Sequence, residues 1–391
     1  MKMLRIVLLV VALLAATTVV LVFTVGPGWF ENRSNGVAGD MGPAPSAETL
    51  AFHDTLTIGD LHADTALWAR AFDDRADRGH VDIPRLLEGN FALQMFTTVS
   101  KSPRGQNYDS NSADATDNIT LLGMVQRWPS ETRDSLTARA LYQAERIRNA
   151  AAASPNLMLV TSRSDLDALM AQRAEGKKVV GALIGTEGSH ALDGELDNID
   201  ALYDAGFRMM SLQHFFDNKL GGSLHGESNA GLTEFGEQAV DRMVAKGLMI
   251  DVSHSSEAVV RDVLARTDLP LIVSHTGFKG HCDRKRNISD ETMTMIAEGG
   301  GLIGVGYWDE ATCGTSVASI VSSLRYGIDI FGLEHIALGS DWDGAVTTPI
   351  DAAHIAQLTQ ALRDAEFSDI EIRAVMGGNM LRFLHEHLPA E

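Results

Sequence analysis

Eight ionisable residues share one kind of position in this sequence. His62 and Asp64, Glu187, His214, His254, His275, and Asp341 and Asp343 each lie at or just past the end of a short apolar run. Imidazoles and carboxylates gathered in one place form a nitrogen-and-oxygen donor set that suits zinc or a similar divalent cation. In His62-Ala63-Asp64 two donors fall on the same side of an extended backbone, because alternate residues of a strand point the same way. A carboxylate such as Glu187 can bridge two cations, which an imidazole cannot, and two bridged cations activate a water near neutral pH. Singly, each residue has an ordinary alternative: a histidine at a strand end is commonly hydrogen-bonded within a loop, and Asp341-Trp342-Asp343-Gly344 could simply make a turn. The recurrence at strand ends carries the metal reading. His53, His80, His190, His225, His281, His335, His354, His385 and His387 follow no such pattern, although His190 and His225 sit in loops close to the expected rim.

These residues can meet only if the apolar runs are strands whose ends share one face. The runs span 57–61, 91–99, 179–184, 207–212, 248–252, 271–273, 302–306 and 336–338. Several are apolar almost throughout, as in parallel strands buried on both faces. Amphipathic stretches at 164–173, 197–205, 235–245, 256–265, 290–297 and 317–331 read as helices, and Ser164 followed by Asp167 resembles a helix-start cap. Repeated strand–helix alternation predicts a TIM-like (β/α)8 barrel, an α/β fold that gathers its functional residues on the rim at the carboxyl ends of the strands. A doubly wound open sheet would give the same alternation. Residues 101–152 form the chief insertion, with a helix expected over 131–152.

The chain has 391 residues, 45% hydrophobic and 21% charged, with a formal charge of −20. That charge repels polyanions, so nucleic acid is not an expected partner. Residues 6–25 are uncharged and mostly aliphatic, follow Lys2 and Arg5, and are long enough to cross a bilayer as a helix. The basic N-terminal side predicts that this end stays cytoplasmic and the rest is exported; a cleaved signal peptide is the alternative, also exported. Residues 1–28 are therefore read as anchor or signal, 29–46 as a flexible Gly/Pro/Ser/Asn-rich tether, and 47–391 as the barrel domain. Cys282 and Cys313 are the only cysteines, which excludes a four-thiolate zinc site; pairing in an oxidising compartment and two free buried thiols are both open.

Asp60-Leu61-His62-Ala63-Asp64, Gly185-Thr186-Glu187-Gly188, Ile250-Asp251-Val252-Ser253-His254, Ser274-His275, Arg286-Asn287 and Gly339-Ser340-Asp341-Trp342-Asp343-Gly344 resemble, in order, the blocks of the membrane (renal-type) dipeptidases. Val81-Asp82-Ile83-Pro84-Arg85-Leu86 and Gly377-Gly378-Asn379 resemble that family too, and the likeness runs from about Thr57 to Phe383. The resemblance implies two Zn2+ ions, one on His62 and Asp64, the other on His254 and His275, with Glu187 bridging. It implies that His214 polarises the scissile carbonyl, that Arg286 grips the substrate carboxylate, and that Asp341 transfers the proton, with Asp343 as the alternative and a candidate substrate contact. The implied reaction is attack of a metal-bridging hydroxide on a dipeptide, tolerating a C-terminal D-residue, in a possible homodimer. One departure is the stretch Phe215-Phe216-Asp217-Asn218-Lys219-Leu220-Gly221-Gly222-Ser223, which lacks the asparagine-rich pattern of mammalian members and is expected to line the pocket. Other binuclear amidohydrolases such as lactonases, phosphotriesterases or deaminases are the rival class; many bridge their metals with a modified lysine where this sequence has Glu187. A non-catalytic binding barrel is the third reading.

Overall fold

The computed structural model describes residues 2–391. Eight parallel strands form the central sheet: β1 (Ile58–Ala63), β2 (Phe91–Val99), β3 (Val180–Glu187), β4 (Phe207–Ser211), β5 (Met249–Asp251), β6 (Ile272–Thr276), β7 (Leu302–Val305) and β8 (Ile336–Leu338). Neighbours in space are neighbours in sequence, which excludes the doubly wound alternative. The sheet closes at its carboxyl rim, where Ala63 bridges Trp342 in parallel and the Asp64 amide donates to the Trp342 carbonyl at 2.9 Å. Buried Asp60 ties the same seam by accepting from the Ser340 backbone amide at 2.7 Å, and on its other side accepts from the Gln94 side-chain amide of β2 at 2.7 Å. The result is the expected TIM-like barrel, nearly continuous around its circumference. A short strand, Leu157–Leu159, adds itself to the start of β3 and has no counterpart in the sequence reading.

The apolar runs are buried on both faces, as their composition implies. Leu61, Leu93, Met95, Leu183, Met209 and Ile272 fill the barrel interior together with Met380 and Phe383 of the C-terminal helix Asn379–His387. Leu166 and Leu169 of the helix Arg163–Ala174 join that inner cluster, and the outward faces pack against helices including Glu234–Ala245 and Val317–Phe331. The helix Arg163–Ala174 begins two residues earlier than its expected cap: Ser162, not Ser164, accepts from the Asp165 amide at 3.1 Å. Within the 101–152 insertion the long helix is Leu136–Ala153, preceded by Asn118–Val125.

The N-terminus departs from the expected tether. The helix Lys2–Thr24 is exposed throughout, its most apolar 18-residue stretch has a mean hydropathy of 3.1, and it is long and apolar enough to cross a membrane. It leads into a second helix, Gly26–Ser34, with Pro27 in its first turn, where a missing N–H costs nothing. Glu31 on that helix is buried and accepts from Arg70 Nε at 2.5 Å and Arg78 Nε at 2.8 Å. Gly36–Val37 then pairs in parallel with Thr347–Thr348. Much of 29–46 is thus seated on the barrel. Cys282 and Cys313 form a disulfide with a Cα–Cα distance of 5.6 Å, which settles the open choice in favour of pairing.

Candidate metal centre

All five expected metal ligands converge at the carboxyl rim. Glu187 ends β3 at the middle of the cluster: its Oε1 lies 3.5 Å from His62 Nε2, 3.3 Å from His254 Nε2 and 3.5 Å from His275 Nε2. Its Oε2 lies 3.4 Å from His214 Nε2. Asp64 Oδ1 is 3.6 Å from His62 Nε2 and is oriented by the Thr97 hydroxyl at 2.6 Å. Two overlapping donor groups result, one of His62, Glu187, His275 and Asp341 and one of Glu187, His214 and His254. The expected pairing sets His62 with Asp64 and His275 with His254, and leaves His214 and Asp341 outside the ligand set; here His275 groups with His62, and His214 and Asp341 stand as near the centre as the ligands do.

Local sequence explains the aim of these side chains. The Ser274 hydroxyl has one proton, which goes to Asp251 Oδ2 at 2.8 Å, so it can only accept from the Nδ1–H groups of His62 and His275, each 3.0 Å away. Both rings are thereby held with Nε2 facing Glu187, an outer-shell arrangement that suits metal-binding imidazoles. Asp251 also accepts from the Ser253 hydroxyl at 2.6 Å. Neither Asp251 nor Ser274 was singled out by the sequence reading, although both stand inside the quoted motifs. Gly188, at φ +90°, makes the turn after β3; a Cβ there would strike the His190 ring and crowd the His214 Cβ.

The electrostatics ask for positive charge at this place. Burial and the carboxylates of Glu187 and Asp64 push the Asp341 carboxyl well up, against the opposing influence of His62. Burial would also raise Glu187, yet the imidazoles of His214 and His62 hold it well below the ordinary range. Burial lowers His62, but Asp64 and Glu187 more than reverse this. Burial, assisted by nearby positive charge, keeps His254 and His275 neutral. His62 Nε2 and His254 Nδ1 are buried without a hydrogen-bond partner. Three crowded carboxylates beside the neutral rings of His254 and His275 are what divalent cations relieve, so the residues fit a metal centre.

The remaining expected residues separate. Arg286 is buried, donates to the Ser253 carbonyl at 2.9 Å and the His275 carbonyl at 2.7 Å, and stacks its guanidinium 5.3 Å from the Trp308 ring centroid. It lines the same cavity of about 610 Å³ as Asp64, Glu187, His214, His254 and Asp341. Asp343 does not line it. Its oxygens are taken by Arg70, by the Thr65 hydroxyl at 2.8 Å and by the His80 amide at 2.7 Å, which corrects its assignment as a substrate contact or proton carrier. Of the segment 215–223, only Phe215 lines the cavity; Asp217 instead accepts from the amides of Ser223, Glu227 and Ser228. His190 and His225 are buried beside the cluster and held neutral, each pulled down to about 3, chiefly by burial. Tyr108, from the insertion, is a cavity residue the sequence reading missed; its hydroxyl accepts from Trp308 Nε1 at 3.1 Å.

The family model described as membrane dipeptidase, peptidase family M19, matches residues 47–389. Mouse dipeptidase 3 is 28% identical over 336 residues, covering 79% of this chain and 63% of its own length; the chain thus spans less than two thirds of that relative. Among solved structures, a metallopeptidase from Rhodobacter sphaeroides liganded with a phosphinate mimic of the dipeptide L-Ala-D-Ala superposes with a TM-score of 0.67 at 20% identity, covering 85% of this chain and 99% of that one. The probable dipeptidase PvdM from Pseudomonas aeruginosa gives 0.69 at 18% identity, covering 87% and 98%. The chain belongs to the membrane dipeptidase family, peptidase family M19.

Proposed function

We propose that this chain is an exported metallo-dipeptidase that holds two zinc ions, bridged by Glu187, and hydrolyses dipeptides including those with a C-terminal D-residue. The observation that carries the reading is the placement of Glu187, His62, His254 and His275 around one point, in a cavity that also presents Arg286 and Asp341. Its family supports the peptidase class, and the mimic bound by the Rhodobacter sphaeroides metallopeptidase supports L-Ala-D-Ala as the first substrate to try. Export is supported by the apolar N-terminal helix and by the disulfide, which persists in oxidising compartments.

Bound divalent cations would lower the pKa of a water held between them and polarise the peptide carbonyl. His62, His254 and His275 would hold them with Glu187, and Asp64 would complete the set on the side of His62. Arg286, fixed by two backbone carbonyls, keeps further N–H groups for a substrate carboxylate and limits the site to very short peptides. Asp341, which lines the cavity beside Glu187, can take a proton from the attacking water and return it to the leaving amine. His214, its Nδ1 3.3 Å from the Lys101 carbonyl, would stabilise charge developing on the carbonyl oxygen.

The test is hydrolysis of L-Ala-D-Ala and Gly-dehydroPhe by the full-length chain in detergent, with and without zinc and a chelator. Zinc-dependent turnover is expected. Zinc binding without dipeptide turnover would overturn the dipeptidase reading and redirect attention to lactones and other amides.

A further inference from the structure

The catalytic cavity does not end at the barrel. On its outer side it is lined by Val22, Gly26, Pro27, Trp29 and Phe30, the junction between the apolar N-terminal helix and the helix that follows. This junction is firmly seated. Glu31, one residue on, is buried against Arg70 and Arg78; Asn35 Oδ1 accepts from the Ala345 amide at 2.9 Å; and the Phe30 ring lies 6.0 Å from that of Trp68. Leu121, Leu122 and Val125 of the helix Asn118–Val125 add further apolar lining. The cavity is thus polar at its inner end, where Arg286 and the Glu187 cluster lie, and apolar at its outer end. A dipeptide whose peptide link and carboxylate sit against the polar inner end would turn a side chain toward the apolar outer end. Trp29 is 63% exposed and Phe30 45%, so both retain surface for a substrate group to cover.

Resting on the dipeptidase reading above, we propose that the juxtamembrane segment Gly26–Phe30 is the outer wall of the substrate cavity and selects dipeptides with bulky apolar side chains. Removing a large ring from this wall withdraws apolar contact from a leucine side chain and very little from an alanine methyl.

The experiment compares the full-length chain in detergent with its Trp29→Ala, Phe30→Ala and Phe30→Leu variants, using L-Leu-D-Leu and L-Ala-D-Ala as substrates. In each alanine variant, the ratio of kcat/KM for L-Leu-D-Leu to that for L-Ala-D-Ala is expected to fall about tenfold. The change should be carried by KM, and Phe30→Leu should recover most of it. Metal content measured alongside separates a lost wall from a damaged centre. A ratio within about twofold of wild type in both alanine variants overturns the proposal, as does an equal loss for both substrates. Absence of any dipeptide turnover by the wild-type chain would overturn the dipeptidase reading, and this one with it.

Discussion

Glu31→Gln tests whether the N-terminal segment is part of the folded domain. Glu31 is 1% exposed, and its carboxylate is shared between Arg70 and Arg78. Removing one partner of a buried ion pair costs about 3–5 kcal/mol when the other is left uncompensated. Arg70 keeps its pairing with Asp343, and Arg78 is partly exposed, so solvent replaces much of what it loses. The amide oxygen of glutamine can still accept one hydrogen bond. These offsets bring the expected cost to about 2–3 kcal/mol. Denaturant unfolding of the full-length chain in detergent, followed by tryptophan fluorescence, measures it as a lowered midpoint at unchanged slope. Because Glu31 and Asp343 share Arg70, Glu31→Gln and Asp343→Asn should be non-additive by more than about 0.5 kcal/mol. A Glu31→Gln unfolding free energy within about 0.5 kcal/mol of wild type would refute the seating of residues 26–37 on the barrel.

Arg286→Lys should raise KM for dipeptides at least about tenfold while zinc content is unchanged, because a lysine ammonium cannot reproduce the planar fork that the two carbonyls hold; steady-state kinetics decide it. Cys282→Ser should lower stability by about 3.5–4 kcal/mol, as expected for opening a 31-residue loop, and the free thiol should then react with a thiol reagent. For Asp343, burial raises the pKa but Arg70 and the His80 hydrogen bonds outweigh it, so the folded value lies well below the unfolded one. Its stabilisation is therefore fully present above about pH 4 and is lost as pH falls toward the folded pKa. Unfolding curves of Asp343→Asn should lie below wild type at pH 6 and approach it between about pH 4 and pH 2; a constant gap across that range would contradict the assignment.

The barrel was legible because its strands are buried on both faces, which leaves unbroken apolar runs, and because donor residues recur at their ends. Boundaries depended on detail the local pattern does not carry. Ser162 and Ser164 are each followed three residues later by an aspartate, and only packing against the barrel chooses between them. The strand Leu157–Leu159 is too short to stand out from its surroundings. The segment 29–46 has the composition of a linker, and what seats it is a pairing of Glu31 with arginines 39 and 47 positions away. Asp341 and Asp343 look alike in sequence, both in the loop after β8 and both at positive φ. Arg70, from the loop after β1, draws one of them out of the site. The pairing of Cys282 with Cys313 was likewise undetermined by spacing alone.

The central claim is a binuclear centre bridged by Glu187, and metal content by mass spectrometry tests it most directly. Wild-type chain loaded with zinc and then desalted should retain about two zinc ions per chain, and Glu187→Ala about one or fewer. A wild-type chain that retains no metal, or a Glu187→Ala chain that retains as much as wild type, would contradict it.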